Sequence, residues 1–407
     1  MDNASKQQCA PSTIENENAR TGVLIAERVR VRILEVPITS IVPMSFSALT
    51  ARRMCLVEVH ADGLTGIGES WINYPDWAAE ERIATVLQGA ADMVLGADVS
   101  DPEAVTNRIA SRLSGVGRQW GAPGPISQAI SGIDLALWDL VAKRSGQPVH
   151  RMLTEGAVRD SVPAYASGVG PTDIVELCER AIERGFRAVK AKVGFGRETD
   201  QTTLDTINKV CGGEMRIFAD ANQAWDLHEA IEMSHLMASC GVEWLEEPIA
   251  GNHLGDLERF HEATSLPVAT GENNYGYDEF LNYVRSPAVR YIQPDPAKCG
   301  GLTAAVRIAQ VAQGTSCAVA PHWYGGALGL AAAVQLGAAY SNVDWIELDI
   351  RDNPLRTEIP ARPWSLENGS LVVPQYPGLM GELNEEVRDA FQIKEAERTL
   401  HDVSRSR

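Results

Sequence analysis

A parallel α/β barrel preceded by an α+β domain is the fold class this sequence predicts, on three observations. Beginning at residue 162, eight short apolar runs follow one another: VPAYAS, AVKAKVG, RIFADAN, VEWLEEP, PVATGEN, RYIQPDP, CAVAPH and DWIELD. After the first they recur about every 26 residues, with amphipathic helical segments between them, which is the pattern of βα units. Upstream of residue 156 the chain instead alternates charged and apolar residues and turns on Asp62-Gly63, as an antiparallel hairpin does. The number of βα units suits a TIM-type barrel. A doubly wound sheet would need a dinucleotide fingerprint, and the lone G-x-G at Gly66 to Gly68 has no helix directly after it.

Taken in order, residues 1–25 are polar and lack the apolar centre of a signal peptide, so they read as a disordered tail. The first domain spans residues 26–155. RVRVRILEV (residues 28–36) alternates as a half-exposed strand should, and RMCLVEVHADGLTGIGES forms the hairpin. Three helical stretches follow, the last of them ISQAISGIDLALWDLVAKRSG. Ile126, Ile130, Ile133, Leu137 and Leu140 share one face of it, and Gly146 suits its C-terminal cap. The barrel spans residues 156–350. Hairpin grammar returns at Asn368-Gly369, so residues 351–407 are expected to pack back on the first domain.

Composition narrows the function. The chain has 407 residues, 44% of them hydrophobic, and no apolar run long enough to span a membrane. A formal net charge of −18 argues against a nucleic-acid partner, which would require a basic surface. The seven cysteines are scattered and never form C-x-x-C, as expected of reduced thiols in a cytoplasmic protein rather than a disulfide frame or zinc site.

The runs of the barrel carry polar residues at their ends, where βα barrels keep their active sites. The third ends at Asp220, the fourth at Glu246 and Glu247, the fifth at Glu272, the sixth at Asp295, the seventh at His322 and the eighth at Glu347. One such residue alone reads as a helix cap or a solvated loop carboxylate. Acids on three successive strand ends would repel one another in a low-dielectric mouth, and a bound cation removes the conflict. All-oxygen ligands select a hard ion, so Mg²⁺ is favoured over zinc. The second run adds Lys190 and Lys192, two apart and therefore on one face of the strand, about 7 Å from each other.

In this order and at this pitch, the set K-x-K, D-x-N, E-E-P, G-E-N, P-D-x-x-K-x-G-G and P-H resembles the enolase superfamily, and within it the mandelate racemase subgroup. The I-D-x-A-L-W-D helix and the P-x-x-P-G-L closing segment extend the resemblance over essentially the whole chain. Each motif alone is weak; the ordered set is specific. The resemblance implies a (β/α)7β barrel under an α+β capping domain, with Asp220, Glu246 and Glu272 as Mg²⁺ ligands. It implies acid/base roles for Lys192 and for His322, the latter oriented by Asp295, and an ene-diolate intermediate.

The residues lend this their own support. The lysine strand and the histidine strand flank the three strands that carry the acids, so a substrate α-carbon would have Lys192 near one face and His322 near the other. Lys190 would add positive charge beside the substrate carboxylate and lower the pKa of Lys192. Asp295 could fix the tautomer of His322. Glu347 could donate a hydrogen bond to the substrate if neighbouring acids keep it protonated. Glu247 and Asn222 would support the ligands, and Lys298 matches the pattern without an assigned role.

Two opposed acid/base groups fit dehydration of a sugar acid to a 2-keto acid, the leading expectation, and racemisation of a 2-hydroxy acid, the alternative. A non-catalytic sugar-acid binder would have no use for two bases, and a metallohydrolase would need an H-x-H pair that is missing here. The partner is therefore a small hydroxy-carboxylate, with a homo-oligomer expected. In the family, capping-domain loops set specificity; here these are residues 38–50, with apolar Ile41, Val42, Met44 and Phe46, and residues 70–77. Arg52 and Arg53 could bind a second carboxylate, although such hairpin residues more often face solvent.

Overall fold

The computed structural model describes residues 22–43, 48–75 and 77–405. Most of the expected tail lies outside these residues, as do Met44, Phe46 and the side chains of Ile41 and Val42. The packed chain begins before residue 26: Leu24 is buried and its amide donates to Asp98.

Three antiparallel strands open the fold, β1 (Ala26–Pro43), β2 (Ala48–Ala61) and β3 (Leu64–Ser70), with Asp62 and Gly63 turning at φ 49° and 73°. Val29, Val31 and Ile33 are buried on one face of β1. On the other, Arg30 and Arg32 meet Glu397 at 2.8 Å and Glu58 at 2.9 Å. That face is not half-exposed, because the last strand of the chain (Gln392–Thr399) pairs with β1 and brings glutamates to its arginines. The Pro123–Ser145 helix packs its isoleucines and leucines against the sheet and ends on Gly146 at φ 69°. It also buries two carboxylates. Asp134 accepts from the Thr106 hydroxyl at 2.7 Å and from the Thr303 amide of the Gly301–Ala312 helix at 3.1 Å. Asp139 accepts from the Ile67 and Leu379 amides and pairs with Lys143 at 2.6 Å. Buried carboxylates are tolerated only when partnered in this way, and these two join separate parts of the chain.

Eight parallel strands follow: β4 (Ser161–Val169), β5 (Ala188–Lys192), β6 (Arg216–Asp220), β7 (Val242–Glu246), β8 (Val268–Thr270), β9 (Val289–Ile292), β10 (Ala318–Val319) and β11 (Ile346–Asp349). Each of β4 to β9 pairs with the next, and β11 returns to pair with β4. Between β10 and β11 the ring is joined by a single bridge, Val319 to Val343. Inward-facing residues repeat every second position. Two places before Asp220, Glu246 and Glu347 stand Phe218, Trp244 and Trp345, which with Tyr165 and Tyr291 form a buried aromatic layer. Phe218 and Trp244 stack there at 3.8 Å between ring centroids.

The hairpin at Asn368-Gly369 forms between β12 (Leu366–Glu367) and β13 (Ser370–Val372), but β13 adds to β4 of the barrel sheet. Residues 161–163 of β4 offer a free edge there, while the final strand, β14, pairs with the first sheet and the helical segments of residues 354–357, 385–391 and 400–405 also lie against it. The Ala327–Ala339 helix is buried on every side. Its N-terminal amides, at Gly326 and Gly329, donate to Glu69 of β3 at 2.6 and 2.8 Å, which ties the first sheet to the barrel. Among the described residues no helix is long and apolar enough to cross a membrane. Six of the cysteines are free and buried, and Cys9 lies outside the described residues.

Candidate active site

Register delivers the polar residues to one end of the barrel. Lys192, Asp220 and Glu246 are the last residues of β5, β6 and β7 and are paired side by side. Glu272, Asp295 and His322 stand two or three residues beyond short strands, on loops; Glu347 lies within β11. Carboxylate oxygens of Asp220, Glu246 and Glu272 all lie within 4.8 Å of one another. At that separation two full charges repel by about 3 kcal/mol at an effective dielectric of 20. The spacing is close to the roughly 4 Å that spans the oxygen shell of a hard divalent ion. These three could hold a metal, and Glu247 stands apart from them. It accepts from the Gln223 and Asn273 amides, so it braces the loop that carries Glu272.

Lys190 is buried beneath the acids. Its ammonium donates to both oxygens of Glu246 at 2.8 Å, lies 2.9 Å from Glu347, and sits 5.4 Å above the Tyr165 ring. Burial pulls its pKa down, but Glu246 and Glu347 outweigh this and hold it well above the lysine range. Lys192 contacts Asp220 and donates to Asn222 at 3.0 Å. Burial, the largest effect, lowers its pKa and so does Lys190, but Asp220, Glu272 and Glu246 together outweigh them and the net shift is upward. The expected depression of Lys192 by its neighbour is thus overridden by the acids around it.

His322 lies between two carboxylates. Nδ1 is 2.7 Å from Asp295, and Nε2 is 3.1 Å from Glu272. Both ring nitrogens face carboxylate oxygens, an arrangement that favours the doubly protonated imidazole. Burial opposes that charge, but Glu272 and Asp295 raise the pKa overall. Burial alone would push Glu347 up. Lys190 and His322 reverse this and hold it below the usual carboxylate range. Glu347 accepts the Trp323 amide at 3.2 Å, and the condition for it to act as a donor, neighbouring acids that keep it protonated, is opposed here by Lys190 and His322.

A cavity of ≈ 460 Å³ opens over these groups, within the range of small-molecule sites. Lys192, Glu272, His322 and Glu347 line its barrel side, and Trp71 and Tyr74, beyond β3, line its roof together with Tyr324. Arg52 is not a solvent-facing residue. It is buried, pairs with Asp349 at 2.5 Å and stacks 4.8 Å from the Tyr324 ring; Arg53 pairs with Glu35 at 2.6 Å. Arg52 is already paired because β2 passes directly over the end of β11.

Sequence reasoning missed Gln293, whose amide donates to Glu246 at 2.7 Å. Its position, two residues before Asp295 and pointing inward, was a usable signal. It also missed Glu69, which only the packing of a distant helix makes significant.

Residues 28–154 match the family model described as the mandelate racemase / muconate lactonizing enzyme N-terminal domain, and residues 173–387 match the enolase C-terminal domain-like model. The chain is 32% identical to the D-galactarolactone cycloisomerase of Agrobacterium fabrum over 90% of its own length and 98% of that protein. It is 30% identical to the L-talarate/galactarate dehydratase of Salmonella typhimurium, over 92% of this chain and 94% of that one. The crystal structure of L-talarate dehydratase from Polaromonas, complexed with Mg and L-glucarate, superposes with a TM-score of 0.80 at 26% identity, covering 92% of this chain and 99% of that one.

Proposed function

Because the chain belongs to the mandelate racemase / muconate lactonizing enzyme family of the enolase superfamily, we propose that it is a Mg²⁺-dependent lyase that dehydrates a sugar acid to a 2-keto acid. The observation that carries this is the His322 imidazole held between Asp295 and Glu272, on the far side of the three converging acids from Lys192.

Asp220, Glu246 and Glu272 would hold the ion, and their all-oxygen set fits Mg²⁺. When bound, Mg²⁺ supplies positive charge against the second negative charge that develops on the substrate carboxylate as the α-proton leaves. Lys192 takes that proton. With Asp220 engaged as a ligand, burial and Lys190 both favour the neutral amine this step needs. His322, doubly protonated, gives its Nε2 proton to the departing β-hydroxyl, while Asp295 keeps the ring in place. Lys190 balances Glu246 and Glu347 below the substrate.

Racemisation would use the same two groups, but His322 would then have to act as a base toward one antipode. Asp295, which stays on Nδ1 when Glu272 is engaged as a ligand, favours the protonated ring and so the acid. The same elimination, with a ring oxygen as the leaving group, also accommodates the cycloisomerase relative. The test is a screen of sugar acids and 2-hydroxy acids with the Mg²⁺-loaded protein, read for keto-acid formation, optical rotation and α-proton exchange in D₂O. Optical inversion without keto acid would replace dehydration by racemisation, and no exchange with any acid would remove the proton-abstraction reading.

A further inference from the structure

Lys298 belongs to the family pattern, has no use in the steps above, and lines the cavity. Its side chain is buried, 3% exposed, at the seam between the barrel mouth and the first domain. The ammonium lies 4.7 Å from the Trp71 ring and donates to the Asn273 carbonyl at 3.2 Å. Among the described residues no carboxylate oxygen comes within 4.0 Å of it. The neighbouring acids are engaged elsewhere: Asp295 with His322, Glu247 with two amides, and Glu272 with His322 and Asn273. Asn273 turns its carbonyl toward Lys298 because its amide protons go to Glu247 and Glu272. Trp71 is fixed in turn, its amide donating to Ala297 at 3.1 Å and its indole N–H to Tyr324 at 2.9 Å. A buried ammonium held by one neutral oxygen and an indole face retains two donors, and the acids that attract it, Glu272, Asp295 and Glu247, do so from beyond contact distance.

We propose that Lys298, set against Trp71, binds the far carboxylate of a dicarboxylic sugar acid, and so selects diacids over monoacids of the same length. This rests on the sugar-acid reading above and extends it to a substrate class. The reacting carboxylate lies at the metal end beside Lys192 and Glu347, and the chain runs under Trp71 and Tyr74 toward the seam. A hydroxymethyl group at that end would accept a hydrogen bond but bring no negative charge into contact with the ammonium. A carboxylate supplies both, and a charge-assisted bond of this kind is worth roughly 10- to 100-fold in affinity.

The experiment is titration calorimetry of galactarate and galactonate into the Mg²⁺-loaded full-length protein, with α-proton exchange in D₂O followed in parallel. The parent binds galactarate more tightly, and Lys298→Met reduces the galactarate-to-galactonate affinity ratio at least tenfold. Lys298→Arg, which keeps the charge, retains a preference for the diacid. Trp71→Leu, which removes the indole and no charge, lowers the ratio less than Lys298→Met and serves if that variant does not fold. A ratio unchanged in Lys298→Met, or affinity for both acids lowered equally, overturns the proposal and makes Lys298 a charge balance for the metal site. If the ratio collapses as stated but no acid exchanges its α-proton, the subsite stands and the catalytic reading falls. If exchange occurs and the ratio is insensitive to Lys298, the reverse holds.

Discussion

Replacing Glu69 by alanine tests how the first sheet is fastened over the active site. Glu69 is buried, 1% exposed, and takes the amides of Gly326 and Gly329 at 2.6 and 2.8 Å at the start of a helix that no water reaches. Alanine leaves both donors without an acceptor, at about 1–3 kcal/mol each, and forfeits the favourable charge at the helix N-terminus, about 0.5–1 kcal/mol. Relief from burying a carboxylate offsets part of this, which leaves a net loss of about 3 kcal/mol. Glutamine keeps the volume and one acceptor, so Glu69→Gln should cost roughly half as much. The assay is urea unfolding of the parent and both variants at one pH, with the Michaelis constant of the best substrate measured alongside. Trp71 lies two residues beyond Glu69 in the cavity roof, so the Michaelis constant should rise in Glu69→Ala. A midpoint shift in Glu69→Ala equivalent to less than about 1 kcal/mol, within the range of an ordinary surface change, would refute the reasoning.

Chelation should abolish activity and Mg²⁺ restore it, and Asp220→Asn should weaken Mg²⁺ binding by roughly one to a few kcal/mol, measured by calorimetry; affinity equal to the parent's would rule Asp220 out as a ligand. Lys192→Ala and His322→Asn should each lose roughly 10²–10⁴ in rate, with His322→Asn still able to exchange the α-proton through Lys192; parental turnover in both would end the two-residue mechanism. Burial pushes Glu69 up to about 7 and Asp134 up to about 6, against hydrogen bonds that pull each down. A carboxyl raised on folding stabilises most below its unfolded value and loses that contribution as pH rises through its folded value. Stability should therefore fall between pH 5 and pH 8, by about 3 kcal/mol from Glu69, and Glu69→Gln should flatten the profile; an equal slope in parent and variant would show that Glu69 does not titrate there.

The barrel and its polar rim were legible in the sequence because strand and helix periods are local properties. Lys192 and Glu246 fall at strand ends that a period of two and a glycine or proline stop already announce, and Asp220 closes the short apolar run RIFA. Electrostatic state was less legible. Glu347 could have been a hydrogen-bond donor had nearby acids kept it protonated, yet the ammonium of Lys190, more than 150 residues away in the chain, shifts it toward the ionised form. Arg52 looked exposed because a hairpin residue usually is, and only the placement of β2 over β11 buries it. The final strand was not foreseen because QIKEAERT has few apolar residues. It is held to β1 by backbone pairing and by glutamates that match arginines some 365 positions earlier.

The aromatic layer beneath Lys190 makes the barrel a cup rather than a pipe. Phe218, Trp244, Tyr291, Trp345 and Tyr165 fill the interior just below the acids and contact one another ring to ring. Traffic of water and protons is therefore confined to the side where the substrate enters. Among the described residues the cavity over Lys192 opens on that side, so on the proposed mechanism a seated sugar acid would lie between the lysine and the solvent, and a hydrogen lifted from the α-carbon would wash out faster after the acid departs than while it is bound.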